Sequence, residues 1–303
     1  MPGPKTRAFL KVQDGCDGCC SYCIIPKCRP IVCSKDPQDV LTEAQQLVNS
    51  GHKEIVLTGI FLGAYGQPTV LRKKWPNCQN DKLAELLEKL AKIPNLARIR
   101  LSSLEPADIT AKLLDCFTNY PNIMPHLHLS LQSGSDNVLK KMARQYRADD
   151  FLEKVELIKS KLDRPAITCD LIVGFPTETE EDFEKTARIA KQTGFAKMHV
   201  FAFSPRPGTP AANFNPKVEP KIIKQRSKIL RTLDTELGFQ FRQEFIGQED
   251  EILIESVGDF CIGRSKRYFY VQIENFSGKF TRNHLVKVNL LQNTDKLITA
   301  EPL

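Results

Sequence analysis

The sequence predicts an α/β protein, with a partial (βα)6 TIM-like barrel followed by a small C-terminal β-barrel. Six short apolar runs, β-branched or alternating in polarity, recur between helical patterns. Strands joined by helical crossovers are parallel, and parallel sheets bury both faces, which suits a run such as 170–173. A doubly wound sheet is the alternative. In both arrangements the chemistry is expected at the carboxyl ends of the strands.

The strands and helices follow in order along the chain. The first helix carries clear boundary signals, with Asp36 at the N-cap position, Pro37 in the first turn and Gly51 as the stop. The same reasoning predicts helices at 82–92, 108–119, 149–161 and 179–193. The six strands are predicted at 9–12, 54–58, 98–101, 126–131, 167–173 and 198–203.

A proline-rich segment at 204–210 ends the first domain, because proline cannot continue the strand before it. We therefore expect a partial-barrel domain at 1–215, a basic linker helix at 216–244 and a β-barrel domain at 245–303. In the last of these, alternating polarity predicts strands at 251–255, 268–271 and 285–288.

The composition excludes several classes of protein. The chain has 303 residues, of which 41% are apolar, and 43 Lys and Arg face 36 Asp and Glu for a net charge of +7. These values are ordinary for a globular protein and exclude disorder or a fibre. No apolar run reaches the roughly 18 residues of a membrane helix, and the first residues lack a secretory signal. We expect a cytoplasmic protein.

The cysteines point to a metal centre. Six of the ten lie between residues 16 and 33, too unevenly placed for a disulfide scaffold. Cys16, Cys20 and Cys23 have the spacing C-x3-C-x2-C, which can hold three irons of a [4Fe-4S] cluster and leave the fourth open. Zinc is the alternative, with Cys16, Cys19, Cys20 and Cys23 as two C-x2-C pairs and Cys28 or Cys33 as a further ligand.

This loop resembles that of the radical SAM superfamily, whose open iron binds S-adenosyl-L-methionine. More narrowly, the chain resembles the methylthiotransferases through 12–16 (VQDGC), 23–26 (CIIP), 57–60 (LTGI), 102–106 (SSLEP), 129–135 (LSLQSGS) and 174–179 (GFPTET). Segments 62–66 (LGAYG) and 204–210 (SPRPGTP) are similar to the branch acting on threonylcarbamoyladenosine at tRNA position 37. The resemblance implies a [4Fe-4S] cluster on Cys16, Cys20 and Cys23, with S-adenosyl-L-methionine as second cofactor.

Cofactor-binding residues are expected at the barrel mouth, where the predicted strands end. Their polar groups or exposed backbone suit the hydroxyl, amine, carboxylate and adenine groups of the cofactor. A tight turn at Gly59, or helix capping by Ser135, Asp136, Thr177 and Glu178, is the structural alternative. The expected cofactor-binding set is Thr58, Gly59, Ser103, Glu105, Gln132 and Gly174.

The C-terminal segment resembles the TRAM module, a small RNA-binding β-barrel. Cations interleaved with aromatic rings suit RNA, because the charges pair with phosphates and the rings stack on unpaired bases. A solvated barrel face is the alternative. The expected RNA-binding set is Arg264, Lys266, Arg267, Tyr268, Lys279 and Arg282.

The resemblance implies a radical SAM enzyme, a transferase that methylthiolates C2 of N6-threonylcarbamoyladenosine in tRNA. An electron donor such as flavodoxin or ferredoxin is implied as a partner. Family members carry a further domain before the radical domain, and this chain begins 15 residues before Cys16. We therefore expect part of a longer or split enzyme, with a separate sulfur-cluster domain; a paralogue that uses the radical for another reaction is the alternative. The rivals are methylthiolation of isopentenyladenosine or of a ribosomal protein, and a zinc-stabilised RNA-binding protein without catalysis.

Overall fold

The computed structural model of the chain describes residues 6–72, 80–274 and 280–303. In the first part of the chain every predicted strand is present, and one short strand was not predicted. The strands are β1 (Arg7–Asp14), β2 (Cys33–Ser34), β3 (Glu54–Gly59), β4 (Arg98–Leu101), β5 (His126–Gln132), β6 (Ala166–Val173) and β7 (Lys197–Ala202).

Six of these strands lie side by side and parallel. β1 pairs with β3 and β3 with β4, while β5, β6 and β7 form a second parallel group. The bridge between Leu104 and Leu129 joins the two groups, with the Leu104 amide donating to the His128 carbonyl at 2.9 Å. The order is therefore β1-β3-β4-β5-β6-β7, which confirms the partial (βα)6 barrel. Strand β2 is a short antiparallel addition beside β1.

The helices confirm most predicted boundaries. Asp36 caps its helix as expected, its carboxylate accepting a hydrogen bond from the Gln38 amide at 2.7 Å. The helix predicted to begin at Asp108 begins later, because residues 106–108 form a 3-10 turn and Thr110 is the N-cap. The helices are α1 (Ile25–Cys28), α2 (Pro37–Asn49), α3 (Lys82–Ala91), α4 (Ala111–Asn119), α5 (Asp136–Lys141), α6 (Ala148–Lys161), α7 (Glu180–Thr193) and α8 (Pro220–Gln243).

The long helix α8 packs onto the partial barrel instead of crossing free solvent. Leu230, Leu233 and Leu237 belong to the barrel's hydrophobic core, whereas Phe241 belongs to the core of the C-terminal barrel. The helix thereby fixes the two parts against each other. Within the described residues, no helix combines the length and the apolarity needed to cross a membrane.

The C-terminal segment is a closed five-stranded barrel, as predicted. Its third strand begins two residues later than expected, because Tyr268 adopts a left-handed conformation with φ of 73° that a strand cannot accommodate. The strands are β8 (Glu249–Val257), β9 (Cys261–Arg264), β10 (Tyr270–Ile273), β11 (Leu285–Asn293) and β12 (Ile298–Pro302).

Buried charge joins the two barrels. Arg98 and Arg100 alternate on β4 with apolar residues, and both guanidinium groups are buried. Arg98 donates to the Arg264 carbonyl at 3.0 Å, and Arg100 donates to the carbonyls of Ser265 and Lys266, each at 2.9 Å. The C-terminal barrel thus covers the amino ends of the parallel strands and leaves their carboxyl ends free.

Candidate cofactor site at the barrel mouth

The loop after β1 folds back on itself and brings its cysteines to the mouth. Gly15 has φ of 76°, and a Cβ there would lie 1.7 Å from the Ile31 carbonyl oxygen, so only glycine fits. The Cys16 amide then donates to the Arg29 carbonyl at 2.9 Å. This local constraint explains why Asp14-Gly15-Cys16 directs the first cysteine towards the carboxyl ends of the strands.

Cys16, Cys20 and Cys23 line one cavity of about 130 Å³, as the C-x3-C-x2-C spacing predicts. Cys19 borders the same cavity but is exposed, and Cys28 and Cys33 are exposed and outside its lining. The other walls include Tyr22, Phe61, Glu105 and Arg144. The fold therefore separates the three expected cluster ligands from Cys28 and Cys33.

The spacing of the thiols favours a cluster over a single zinc ion. A tetrahedral zinc ion holds its sulfur ligands at about 2.3 Å, which requires the sulfur atoms to lie close together. Within the described residues, the group of three donors compact enough for one ion is His128, Asp170 and His199, not the cysteines. A cluster of several irons suits more widely spaced thiolates.

The electrostatics of the cavity call for a cation. Burial raises the pKa of the Cys16 thiol to about 11 and also raises the pKa of Cys20, so both thiols favour the neutral form without a metal. The Gly18 amide donates to Cys16 Sγ at 3.3 Å, and Arg144 Nη1 lies 3.3 Å from Cys20 Sγ. Bound iron would supply the positive charge that makes these thiols ligands.

Arg144 and Glu105 form a buried ion pair beside Cys20. The Arg144 guanidinium lies over the Tyr146 ring, 4.9 Å from its centroid, and Tyr146 donates to the Leu131 carbonyl at 3.0 Å. The sequence analysis did not place Arg144 in the site. In the sequence, Arg144 is marked only by its position in the segment that follows β5, the segment that begins at the barrel mouth.

Glu105 fits the predicted cofactor role. Its Oε2 is buried and has no hydrogen-bond partner among the described residues, although it lies at the wall of the cysteine cavity. A buried carboxylate oxygen without a partner is costly, and an amine or hydroxyl of a bound cofactor would satisfy it. The site residues therefore fit both a cluster and S-adenosyl-L-methionine.

Ser103 and Gln132 lie at the strand ends where they were predicted. Ser103 is exposed and lines a larger cavity between the partial barrel and the C-terminal barrel, not the cysteine cavity. Gln132 ends β5 after a register shift and has φ of 64°, a left-handed conformation that is uncommon outside glycine and clusters at binding sites. Sequence reasoning placed both residues but could not foresee this strained backbone.

Gly59 and Gly174 have packing contacts in the structure, and their cofactor contacts stay a prediction. Gly59 follows Thr58, and a Cβ at Gly59 would lie 2.8 Å from Gln13 Oε1. The absence of a side chain at Gly59 therefore makes room for Gln13. The Gly174 amide, expected to face adenine, donates to Glu178 Oε2 at 2.7 Å. Thr179, not Thr177 or Glu178, caps the following helix.

Most of the expected RNA-binding residues lie in the junction between the barrels. Arg264 stacks on Tyr268 and Tyr270, and Tyr268 contacts Arg100 and His126. Arg267 donates to the carbonyls of Arg164 and Asp163 at 2.7 and 2.8 Å. Lys266 is partly buried, the exposed Arg282 donates to Thr6 Oγ1 at 3.1 Å, and Lys279 lies outside the described residues. Several residues of this set therefore make contacts within the protein, and RNA binding by the set stays a prediction.

A partial (βα)6 barrel that gathers three cysteines in a cavity at its mouth defines a class of proteins that hold an iron–sulfur cluster at this position. The Radical SAM superfamily profile matches residues 10–190, and the chain belongs to this superfamily. Membership implies a [4Fe-4S] cluster and S-adenosyl-L-methionine as cofactors.

Curated relatives carry more specific names. The chain is 36% identical to threonylcarbamoyladenosine tRNA methylthiotransferase MtaB of Thermotoga maritima, over 95% of this chain and 64% of the relative. The protein of that name from Bacillus subtilis is 35% identical over 97% of this chain and 65% of its own length. A tRNA-2-methylthio-N(6)-dimethylallyladenosine synthase of Corynebacterium diphtheriae is 37% identical over 85% of this chain and 50% of its own length. The chain thus spans less than two thirds of these relatives.

Solved structures show the same fold at low sequence identity. The radical S-adenosylmethionine methyltransferase TsrM of Kitasatospora setae has a TM-score of 0.55 at 15% identity, covering 68% of this chain and 38% of its own. Coproporphyrinogen III oxidase (HemN) of Escherichia coli has a TM-score of 0.51 at 16% identity, and the match covers 88% of this chain and 68% of the oxidase. These similarities support the architecture.

Replacing Arg144 with glutamine is expected to lower the reduction potential of the bound cluster. The substitution removes a positive charge and a hydrogen-bond donor 3.3 Å from the sulfur of Cys20. Both stabilise the more negative, reduced cluster, so their loss makes reduction less favourable. A charge-assisted hydrogen bond is worth ~1.5–3 kcal/mol, which for a one-electron couple corresponds to a shift on the order of 65–130 mV. Redox titration followed by electron paramagnetic resonance measures the shift, with Lys140→Gln as control. An unchanged potential would contradict the role of Arg144.

Proposed function

We propose that this chain is the radical SAM part of a tRNA methylthiotransferase that places a methylthio group on C2 of threonylcarbamoyladenosine at position 37. The observation that carries the proposal is the similarity to the two MtaB proteins over at least 95% of the chain, together with the three-cysteine cavity. The other expected features, cytoplasmic location, an electron donor such as flavodoxin or ferredoxin, and a separate sulfur-cluster domain, belong to this proposal.

The residues of the mouth take distinct roles in the proposal. Cys16, Cys20 and Cys23 bind the cluster, and Arg144 balances its negative charge beside Cys20. Glu105, Ser103 and Gln132 bind S-adenosyl-L-methionine. When bound, the cluster and S-adenosyl-L-methionine supply an organic radical. The barrel walls hold the target base beside the cofactor.

The proposed domains keep the boundaries 1–215, 216–244 and 245–303. Their support is the partition of the hydrophobic core, with one cluster inside the partial barrel and a second inside the C-terminal barrel. The likeness of the second barrel to a TRAM module belongs to the proposal as well. Because α8 contributes side chains to both cores, we expect the domains to unfold together.

The RNA surface that we propose is a cationic stripe on α8, formed by Lys221, Lys224, Lys228 and Arg231. All four are exposed, and their spacing places them along one face of the helix. Helix α8 reaches the barrel mouth, since a Cβ at Gly174 would lie 2.4 Å from Ile223 Cγ1. The stripe therefore leads away from the cofactor site, where the phosphates flanking a bound nucleotide would run.

Exchanging Lys224 and Lys228 for glutamate is expected to weaken binding of the anticodon stem-loop by about tenfold or more. Each lost phosphate contact also reduces the slope of log affinity against log salt, by about 0.7–0.9. Fluorescence anisotropy across a salt series measures both. The matched control is Lys89→Glu with Lys191→Glu, which makes the same charge change at exposed ends of α3 and α7. Equal loss in both double variants would remove the stripe from the RNA surface.

The second candidate substrate is dimethylallyladenosine, which the Corynebacterium relative's name supports. Competition between anticodon stem-loops that carry threonylcarbamoyladenosine, dimethylallyladenosine or unmodified adenosine at position 37 separates the candidates. We expect the first to bind most tightly to the cofactor-loaded chain. Tightest binding of the dimethylallyl stem-loop would reassign the substrate, and equal binding of all three would contradict recognition of the nucleoside by this chain.

A further inference from the structure

We propose that His128, Asp170 and His199 form a binding site for one divalent transition-metal ion inside the partial barrel, separate from the cysteine cavity. The site uses residues that the proposed reaction leaves without a role. It lies on β5, β6 and β7, whereas the cysteines lie on the loop after β1.

The strand register brings the three side chains together. Asp170 pairs directly with His199 across β6 and β7, and Asp170 pairs with Ser130 across β5 and β6. His128 stands two residues before Ser130 and therefore points to the same side of β5. One ligand atom from each of the three residues lies within 4.8 Å of the others. All three line a cavity whose walls come from the partial barrel, helix α8 and the C-terminal barrel.

Two imidazoles and one carboxylate make a facial ligand set that leaves coordination positions open, as for Fe²⁺ and related ions. Ligand bonds of about 2.0–2.2 Å place neighbouring donors of one ion about 3 Å apart. His128 Nε2 and Asp170 Oδ2 already lie 3.3 Å apart. The His199 ring is exposed, and one of its nitrogens lies within 4.8 Å of the other two donor atoms.

A second layer of contacts orients His128. Its Nδ1 lies 2.9 Å from Thr168 Oγ1, which leaves Nε2 directed at Asp170. Metal-binding histidines typically hold the other ring nitrogen in such a hydrogen bond, which fixes the tautomer and the ring plane. Thr168 is buried on β6, two residues before Asp170, so one strand supplies a ligand and the support for another.

Access and local charge suit an ion. The cavity has a volume of about 1300 Å³ and can supply water or another oxygen ligand to the open positions. Among the cations that line the cavity, Lys197 pairs with Asp234 and Arg100 pairs with Glu54.

Mn²⁺ is the probe of choice, because thiolates bind it poorly and its free ion gives a strong paramagnetic resonance signal. In a titration of the full cluster-loaded chain, we expect loss of the free-ion signal to saturate at one Mn²⁺ per chain. Electron spin-echo spectra of this wild-type complex should show nitrogen couplings from imidazole. Absence of stoichiometric binding, or binding without nitrogen couplings, would overturn the site and leave a simple histidine–aspartate hydrogen bond.

Variants then assign the ligands. Asp170→Asn is expected to weaken Mn²⁺ binding more than tenfold, and Thr168→Val by about tenfold through the orientation of His128. His284→Asn, on the C-terminal barrel, is the matched control and should leave the affinity unchanged. Circular dichroism and the cluster absorbance identify any misfolded variant. Wild-type affinity in a folded Asp170→Asn protein would overturn the assignment.

Discussion

Replacing Cys20 with alanine is expected to abolish retention of the iron–sulfur cluster and with it the formation of 5'-deoxyadenosine. Cys20 is one of three thiols on one cavity, and a cluster held by only two protein ligands does not persist. Iron and sulfide content after anaerobic reconstitution measure the first effect. Chromatography of the products from S-adenosyl-L-methionine and a reductant measures the second, for which we expect a loss to background.

Cys33→Ala is the matched control for this prediction. Cys33 lies on β2, is exposed and does not line the cysteine cavity, although it belongs to the same crowded stretch of sequence. We expect its variant to keep both cluster and activity. Comparable loss in both variants would instead favour a zinc site that draws on the outer cysteines.

Exchanging Glu54 for glutamine is expected to destabilise the protein by about 3–5 kcal/mol, because it leaves the buried Arg100 guanidinium without its counter-charge and leaves Arg98 only the partly exposed Glu251. Glu54 is fully buried, with its carboxylate 3.1 Å from Arg100 Nε and 3.8 Å from Arg98 Nη1. Burial lowers the pKa of Arg100 only to about 10, so Arg100 remains charged at neutral pH. Urea unfolding monitored by circular dichroism measures the loss.

Glu85→Gln provides the comparison for Glu54. Glu85 also faces two cations, Lys82 and Lys112, at 3.0 and 3.3 Å, but this group is open to solvent. Water screens such pairs, so we expect no measurable change in the free energy of unfolding. Similar small effects of both substitutions would show that the buried charges do not hold the two barrels together.

The strands and the first helix could be predicted because their signals are local. Asp36, Pro37 and Gly51 mark the ends of a helix independently of the rest of the chain. The C-x3-C-x2-C loop likewise contains its three expected ligands between residues 16 and 23. The stripe around Arg264 and Tyr268 has a local pattern that suits RNA, but its location is decided by β4, which lies far away in sequence. Arg264 and Tyr268 contact Arg98 and Arg100 of β4, and these contacts stabilise the junction between the barrels.

The same reasoning explains which site residues were missed. Arg144 reaches Cys20 from a different segment of the chain, and no spacing rule links the two. His128, Asp170 and His199 belong to three strands that only the parallel register brings side by side. Gly59 and Gly174 show the converse, since a glycine at a strand end fits both a ligand contact and packing, and the packing against Gln13 and Ile223 leaves the ligand contact a prediction.

The most direct test of the account is reduction of the anaerobically reconstituted chain in the presence of S-adenosyl-L-methionine, with an assay for 5'-deoxyadenosine. The account predicts that 5'-deoxyadenosine forms and that the cofactor shifts the paramagnetic resonance spectrum of the reduced cluster. Both depend on one open iron above Cys16, Cys20 and Cys23. A colourless protein that binds zinc tightly and forms no 5'-deoxyadenosine would contradict it and favour an RNA-binding protein without catalysis.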